Sequence, residues 1–393
     1  MGHALDYLED ELAELETNGL LLHPRTLEGP TGARATFDGR EVINLASNNY
    51  LGLSNHPRMN RAAADAAERF GAGTGAVRTI AGQMRMHLDL EERFAAFKHA
   101  DATLLFQSGF TANAGTVAAI LGPDDVIVSD RLNHASIIDG ARLSKAEIKV
   151  FEHRDAADAE RLLTETAKPG RRQLLITDGV FSMDGDIAPL GDLVEVAERR
   201  EAIMMIDDAH ASGVLGTGGA GTVDHFGLHG RVDIQVGTLS KAIGSLGGYV
   251  AGSHDLIDFL YHRARPFLFS TSHPPAVAAA CLAAVEILED EPEIIDRLWD
   301  NTRFFKKGLK DLGFDTGLSE SPITPVMAGE GARAMKLSDR LFQEGVFAQG
   351  IAYPTVARDK ARVRTIVTAA HSREELQFAL DTFKKVGAEL GLI

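Results

Sequence analysis

Short apolar segments alternate with amphipathic stretches over most of this chain. Runs rich in Val, Ile and Leu predict buried strands at TLLF (103–106), VIVS (126–129), IKVF (148–151), QLLIT (173–177), IMMID (203–207), DIQVG (233–237) and GYVAG (248–252). Apolar positions with a helical period predict helices between them, over 87–98, 112–121, 136–144, 155–167 and 189–200. Such alternation is typical of a mainly parallel sheet with helices on both faces. We therefore predict an α/β fold built on a seven-stranded sheet.

The last strand of this series should run against its neighbour. Only ten residues separate 233–237 from 248–252. A parallel crossover usually needs about a dozen residues or more. The sequence thus predicts an antiparallel return at this point.

The two ends of the chain show a different pattern of predicted elements. A helical period over 4–17 is followed by a hairpin pattern at 36–45, with its turn at Asp38-Gly39. After residue 275, an α+β pattern is predicted, with helices over 275–289, 292–312, 333–345 and 372–390, a strand in SPITPVMAG, and an extended stretch over 346–366. We predict an N-terminal segment (1–56), a large domain (57–285) and a small C-terminal α+β domain (286–393).

Composition narrows the function. The formal net charge of −16 disfavours nucleic acid and anionic membrane surfaces as main partners. The single cysteine, Cys281, permits no intrachain disulfide, and no Cys/His zinc pattern occurs, so no metal site is predicted. The acidic N-terminus is unlike a signal peptide, and no apolar run reaches membrane-spanning length. We expect a cytoplasmic protein.

Polar residues follow the predicted strands, where open α/β sheets bind their ligands. Ser108 and Gly109 open a helix whose free amides could hold a phosphate, although plain N-capping would look the same. His134 precedes another helix and could cover a flat ligand or serve only as a cap. Asp207 ends an apolar strand, where a buried carboxylate needs a partner such as a protonated ring nitrogen, and His210 follows closely.

Lys241 lies in GTLSKAIGSLGG (237–248), which contains no other charge. Desolvation lowers the pKa of a lysine toward the range in which the amine is a nucleophile that can form a Schiff base. A phosphate cradle, a stacking group, a carboxylate for a ring nitrogen and a reactive amine together match the needs of pyridoxal 5′-phosphate (PLP).

Six stretches, in order, resemble the α-oxoamine synthases, PLP-dependent acyltransferases of fold type I. They are SNNYLGLSNHP (47–57), GTGAVRTIAG (73–82), NHASIIDGARLS (133–144), TDGVFSMDGDIAPL (177–190), DDAHASGVLG (207–216) and GTLSKAIG (237–244). The resemblance covers essentially the whole chain. It implies the fold-type I architecture, PLP as cofactor, and a homodimer whose partners share active sites.

Residue roles follow from that resemblance. It implies four catalytic residues: Lys241 holding the cofactor aldehyde, Asp207 on the ring nitrogen, His210 on the ring hydroxyl and His134 stacked on the ring. Further implied cofactor contacts are Ser108, Gly109, Phe110, Ser182, Thr238, Thr271 and Ser272, with FSTS (269–272) reaching the partner's phosphate. Asn48 and Arg364 would hold the substrate carboxylate, whereas Arg362 is expected to point away from the site as a structural residue.

Within the family, AVRTIAG, NHASIIDGARL and the terminal ARVRT…AAH resemble glycine C-acetyltransferase, which implies condensation of glycine with acetyl-CoA in threonine catabolism. The alternative is 8-amino-7-oxononanoate synthase, which uses alanine and a pimeloyl thioester and releases CO₂, or an enzyme that accepts both substrate pairs. An aminotransferase is disfavoured because His210 stands where those enzymes commonly have tyrosine. A non-enzymatic protein of the same fold is disfavoured by the presence of Lys241.

Overall fold

The computed structural model describes residues 3–17, 21 and 24–393. Its strands are β1 (Arg34–Phe37), β2 (Arg40–Asn44), β3 (Ala102–Phe106), β4 (Val126–Asp130), β5 (Glu147–Phe151), β6 (Gln173–Asp178), β7 (Ile203–Asp207), β8 (Ile234–Thr238), β9 (Gly248–Gly252), β10 (Ile323–Gly329), β11 (Val346–Phe347), β12 (Gln349–Ile351) and β13 (Ala361–Ile366). Its α-helices are α1 (Tyr7–Thr17), α2 (Pro57–Phe70), α3 (Arg85–Phe97), α4 (Gly109–Ile120), α5 (Ala135–Ser144), α6 (Ala156–Thr166), α7 (Leu190–Arg200), α8 (Thr222–His225), α9 (His254–Arg263), α10 (Arg265–Leu268), α11 (Pro275–Asp290), α12 (Glu293–Asp311), α13 (Gly331–Gln343) and α14 (Arg373–Glu389). Short 3₁₀ turns occur at Leu53–Asn55 and Thr217–Gly219, and a π-helical turn at Arg78–Gly82.

The central sheet has seven strands in the order β3-β9-β8-β7-β6-β4-β5. Strands β4 to β8 pair in parallel, while β9 runs antiparallel to both β8 and β3. The predicted mainly parallel sheet is confirmed, and so is the antiparallel return at 248–252. Inserting β9 between β8 and β3 places the carboxyl ends of β3 and β8 at the same rim.

Successive side chains along a strand point to opposite faces of the sheet and pack against two separate layers of helices. Leu104 and Phe106 pack with the layer that contains α4, α5 and α9. Leu105, between them in sequence, packs with α3 and α11 through residues such as Phe94 and Ala284. Both faces of the sheet are therefore covered, as expected for a mainly parallel sheet.

The C-terminal region has a core of its own. Strands β10, β13 and β12 form an antiparallel sheet, and Val326 and Val363 pack there with Phe383 of α14. The predicted extended stretch over 346–366 consists of β11, β12 and β13, with turns between the last two. Strand β2 pairs in parallel with β11, and Ile43 joins this core, so the N-terminal hairpin packs with the C-terminal region. The domain boundaries proposed from the sequence remain a prediction.

Within the described part of the chain, no helix has both the length and the apolar character that a membrane crossing requires.

Candidate active site

A pocket opens at the carboxyl ends of β3, β6, β7 and β8. It is lined by Ser108, Gly109, Phe110, His134, Ser136, Asp178, Val180, Asp207, Ala209, His210, Thr238, Ser240 and Lys241. Every residue predicted from the strand ends as catalytic lies in this one pocket. The structure thus brings together side chains that are more than a hundred residues apart in sequence.

Asp207 ends β7 with its carboxylate fixed from two sides. Oδ2 accepts a 2.6 Å hydrogen bond from the Asn113 side-chain amide, and Oδ1 accepts a 2.8 Å bond from the Ala209 N–H. Asn113 belongs to α4, which crosses behind the strand ends. The carboxylate is therefore held in one orientation at the pocket floor. A carboxylate that pairs with a ring nitrogen needs such a fixed orientation.

His210 lines the pocket and lies against a buried phenol. The Tyr50 hydroxyl and His210 Nδ1 are 2.7 Å apart. Burial and the positive charge of Lys241 hold the pKa of His210 well below its usual value, and burial raises the pKa of Tyr50. Because the phenol keeps its proton and the imidazole is neutral, we assign Tyr50 as donor to Nδ1. That assignment leaves the His210 proton on Nε2.

His134 is the N-terminal cap of α5 as well as a pocket residue. Its Nδ1 accepts a hydrogen bond from the Ser136 N–H at 3.2 Å, and Ser136 Oγ lies 2.8 Å from the same nitrogen. Burial lowers the pKa of His134, so the ring is a neutral, flat group fixed by its cap. The capping and the stacking interpretations of this residue are compatible, because the cap uses one ring edge only.

The start of α4 provides the anion-binding end of the pocket. Ser108 caps the helix through a 3.1 Å bond from the Thr111 N–H to its Oγ. The first-turn amides of Gly109 and Phe110 have no acceptor within the helix. A Cβ on Gly109 would lie 3.2 Å from the Cβ of Thr238, so glycine lets the helix start approach the end of β8. Unpaired amides at a helix N-terminus favour a phosphate.

Lys241 lies on the tight loop that joins β8 to β9. The loop is closed by hydrogen bonds from the Leu239 N–H to Gly247 O and from the Gly244 N–H to Lys241 O, both 2.9 Å. Gly244 has φ +75°, and a Cβ there would lie 2.6 Å from the Ser54 nitrogen. Burial lowers the pKa of Lys241, and the negative charge of Asp207 offsets part of that effect. The amine therefore has more neutral, nucleophilic character than an ordinary lysine.

A second carboxyl group, Asp178, lines the pocket beside Asp207. The two residues are register partners at the ends of β6 and β7, and both are buried. Burial raises the pKa of Asp178 well above its usual value, and the neighbouring Asp207 raises it further. The surroundings of Asp178 therefore favour its protonated form. No role was predicted for this residue from the sequence.

The predicted carboxylate-binding residues lie next to this pocket rather than in its lining. Arg364 donates from Nη1 to the Ser182 carbonyl at 3.1 Å. The Asn48 Oδ1 atom is buried and has no hydrogen-bond partner among the described residues. Ser182 meets Arg364 through its backbone, and its side chain is not part of the pocket wall. An unsatisfied buried acceptor is costly, so this oxygen needs a hydrogen-bond donor such as an ordered water or a ligand N–H.

The expectation that Arg362 points away from Arg364 is wrong. Residues two apart in a strand share a face. Arg362 accordingly donates to the Met183 carbonyl at 3.0 Å and pairs with Asp184, one residue beyond the carbonyl that Arg364 contacts. Its structural role is supported by these contacts, because its guanidinium is paired and almost fully buried.

Thr271 and Ser272 lie outside the pocket formed by this chain. Thr271 forms an isolated antiparallel bridge with Val77, and Ser272 Oγ lies 2.7 Å from Thr74 Oγ1. Their predicted contact with the phosphate of a partner subunit is untested and remains a prediction.

A buried ion pair lies directly behind the pocket floor. Lys98 Nζ donates to Asp208 Oδ2 at 2.7 Å, and both side chains are fully buried. Asp208 also accepts from the Thr222 N–H at 3.0 Å and from its hydroxyl at 2.6 Å. Burial lowers the pKa of Lys98, but the Asp208 charge outweighs this effect and the net pKa is raised. The pair fixes the residue that follows Asp207.

Asn113 and Tyr50, which contact Asp207 and His210, were not predicted either. Asn113 was the only amide in the otherwise small and apolar helix GFTANAGTVAAI, which is a signal that a polar partner exists. Tyr50 lies in SNNYLGL, which contributed to the resemblance but gave no role for this side chain.

These residues fit PLP. The chain offers a lysine of lowered pKa for the aldehyde, the fixed Asp207 carboxylate for the ring nitrogen and a helix N-terminus for the phosphate.

Curated proteins are similar in sequence to this chain along its whole length. The chain is 62% identical over 388 residues to the 8-amino-7-oxononanoate synthase of Symbiobacterium thermophilum, covering 99% of each chain. It is 54% identical over 393 residues to 8-amino-7-oxononanoate synthase 1 of Bacillus subtilis, covering 100% of both. These relatives favour the alternative of the sequence analysis over its main prediction, glycine C-acetyltransferase.

Solved structures agree with the fold. A serine palmitoyltransferase of Sphingomonas wittichii superposes with a TM-score of 0.95 at 30% identity and 100% coverage of both chains. A high-resolution structure of SPT with its PLP internal aldimine gives 0.94 at 30% identity, covering 99% of this chain and 98% of that one. The family model "Aminotransferase class I and II" matches residues 40–383. The chain therefore belongs to the class I and II aminotransferase family, within its α-oxoamine synthase branch, and is a PLP-dependent enzyme of fold type I.

Proposed function

We propose that this protein is an 8-amino-7-oxononanoate synthase, which joins L-alanine to a pimeloyl thioester. The amino acid's Cα forms a carbon–carbon bond to the thioester carbonyl, the thiol departs, and the alanine carboxylate leaves as CO₂. The observation that carries the proposal is the 62% identity over 388 residues to an enzyme of that name. The pocket supports it, because it brings together a lysine of lowered pKa, an oriented carboxylate and a helix N-terminus.

The residues at the ring end would hold the cofactor. Asp207 would keep the ring nitrogen protonated, and the Nε2 proton of His210 would be donated to the ring oxygen. His134 would cover one face of the ring, and the amides at the start of α4 would bind the phosphate. When bound, PLP supplies an electron sink for the negative charge that develops at Cα.

Lys241 would be the base that removes the proton from the reacting carbon and returns it. Burial lowers the pKa of its amine, so a larger fraction is neutral near pH 7 than for an exposed lysine. Its position at the pocket wall, on a loop closed by backbone hydrogen bonds, keeps Nζ close to one place. A base held in this way can remove and return a proton with little further loss of conformational entropy.

Arg364 and Asn48 would hold the carboxylate of the amino acid. The Arg364 contact with the Ser182 carbonyl uses only Nη1 and leaves donors for a bidentate pair. Asn48 lies in the segment that also supplies Tyr50, so substrate and cofactor contacts share one element. Fixing this group aligns the bond to CO₂, which must break after condensation.

We further propose a cytoplasmic homodimer with shared sites. Ile80 and Phe269 are 83% and 70% exposed, and both flank the Val77–Thr271 bridge near the pocket mouth. Exposed apolar side chains concentrated around a site favour a protein partner there. Light scattering of the purified protein should give twice the chain mass, and a monomer that is active would contradict the shared site.

A thiol-release assay on the PLP-loaded protein tests the reaction. Pimeloyl-CoA with L-alanine is compared with acetyl-CoA and glycine, and the amino-ketone product is identified by mass spectrometry together with released CO₂. We expect the first pair to give the higher kcat/KM and to release CO₂ in equal amount to thiol. A higher kcat/KM for acetyl-CoA and glycine would overturn the proposal and restore glycine C-acetyltransferase. Lys241→Ala serves as the control for non-enzymatic thioester hydrolysis.

A further inference from the structure

Three potential metal ligands meet on the protein surface outside the PLP pocket. His99 is in the turn after α3, Asp224 is in α8, and His229 is in the loop that follows α8. His229 Nε2 lies 3.0 Å from Asp224 Oδ2, and His99 Nε2 lies 3.8 Å from the same oxygen. Among the described residues, this is the one group of its kind in which three ligand atoms all lie within 4.8 Å of one another.

The distances suit one small cation. Zinc binds imidazole nitrogen and carboxylate oxygen at about 2.0–2.2 Å, which puts tetrahedral ligand atoms about 3.4 Å apart. The two measured separations to Asp224 Oδ2, 3.0 and 3.8 Å, lie on either side of that value. The two rings are 4.6 Å apart between centroids and are both partly exposed, so a small rotation can bring the nitrogens together.

The backbone around the cluster holds the ligands in place. Asp224 uses its other oxygen, Oδ1, to accept from the Thr217 N–H, which orients the carboxylate. His99 has φ +51°, a left-handed conformation that a histidine adopts at some cost. Its neighbour Lys98 is anchored in the interior by Asp208, so the turn that presents His99 is fixed.

The donor set identifies the class of cation. Two imidazoles and one carboxylate suit borderline divalent transition metals, whereas Mg²⁺ and Ca²⁺ prefer oxygen ligands throughout. The chain's one cysteine, Cys281, is buried and cannot compete as a surface thiol. Among biological metals with these preferences, zinc accepts a tetrahedral site completed by one water.

We propose that His99, Asp224 and His229 form a binding site for a divalent transition-metal ion, best suited to Zn²⁺, which links the end of α3 to the segment 217–229. The ion would join two elements that already meet through the bond from Lys98 Nζ to the Ala220 carbonyl. This site could not be predicted from the sequence, because His99 is far from Asp224 and His229 and the three residues match no known ligand spacing.

Zinc binding to the holoenzyme tests the proposal. After treatment with a chelator and reloading with PLP, zinc is titrated by calorimetry in wild-type protein, in His99→Ala and in His229→Ala. Loss of an outer-sphere partner alone typically weakens metal binding about 10–100-fold, so loss of a direct imidazole ligand should weaken it at least about tenfold. His225→Ala is the matched control, since this exposed histidine lies in the same segment but outside the cluster.

A second readout separates this site from zinc binding in the PLP pocket. Zinc should raise the melting temperature of wild-type and His225→Ala proteins but leave that of His99→Ala unchanged, because only a ligand of the folded state stabilises. X-ray absorption of the wild-type complex should show imidazole scattering. Absence of saturable zinc binding, or equal binding in wild type and both ligand variants, would overturn the proposal.

Discussion

The two adjacent carboxyl groups on the pocket floor should respond very differently to the same substitution. Asp207 and Asp178 are register partners at the ends of neighbouring strands and are similarly buried. Asparagine preserves the shape of both side chains, removes the possibility of a negative charge and replaces one oxygen with an N–H₂ donor. We expect Asp207→Asn to remove most of the activity and Asp178→Asn to keep most of it.

The magnitudes follow from the contacts of each residue. Asp207 is oriented by Asn113 and by the Ala209 N–H, and an amide at this position would turn a donor toward either Asn113 or the ring nitrogen. Loss of one preorganised electrostatic partner typically costs about 10²–10³-fold in kcat. Asp178 has a single weak contact, 3.5 Å from the His134 N–H, so its replacement should cost no more than one ordinary hydrogen bond, about 1 kcal/mol or fivefold.

Stability should follow the opposite order. Burial raises the pKa of Asp178, so folding takes up a proton when the pH lies between the unfolded pKa of about 3.9 and the higher folded pKa. The stabilising contribution of this group is full below that pH and is lost as the pH rises toward the folded pKa. Because Asp178→Asn removes the titration, the variant should gain stability relative to wild type as the pH rises above about 4.

Steady-state kinetics with pimeloyl-CoA and L-alanine, together with thermal melts over that pH range, test both parts. PLP absorbance verifies that each variant binds its cofactor. If Asp178→Asn were as inactive as Asp207→Asn while binding PLP normally, Asp178 would be a charged catalytic group and the assignment of the proton would be refuted.

Three further predictions follow from single contacts. Lys241→Ala should abolish turnover while circular dichroism shows an intact fold; thioester-dependent product above background would contradict its role. Arg364→Ala should raise the alanine KM far more than it lowers kcat, and an unchanged KM would place the carboxylate site elsewhere. Lys98→Met should lower the free energy of unfolding in denaturant titrations by about 3–5 kcal/mol, because Asp208 is left charged and unpaired in the interior. Adding Asp208→Asn should restore part of that loss, and additive losses would argue against the ion pair.

The sequence was sufficient for the sheet and for the rim of the pocket because both depend on local pattern. Runs such as 203–207 are short, apolar and bounded, and chemistry at their ends is expected to converge wherever parallel strands end together. Lys241 and Asp207 stood out because a charge in an apolar setting is rare at the level of the sequence itself.

What the sequence did not show depends on packing between distant elements. Lys98 looks like an ordinary solvated lysine at a helix end, and only the approach of α3 to the segment after β7 buries it. Asn113 reaches Asp207 because of the way α4 crosses the strand ends. The two-residue period of a strand alone would have predicted that Arg362 and Arg364 share a face, and on this point the prediction was wrong.

The insertion of β9 between β8 and β3 has a consequence for how the enzyme is made. Strand β3 has no partner in the sheet other than β9, and Leu105 pairs with Tyr249 across a long stretch of chain. Contacts of such high sequence separation form late and slow folding. During synthesis, β3 and the phosphate-binding start of α4 that follows it therefore have no partner strand until the lysine loop and β9 have been made. The cofactor site would be among the last parts of the large sheet to close, and PLP uptake during refolding should report completion of the sheet.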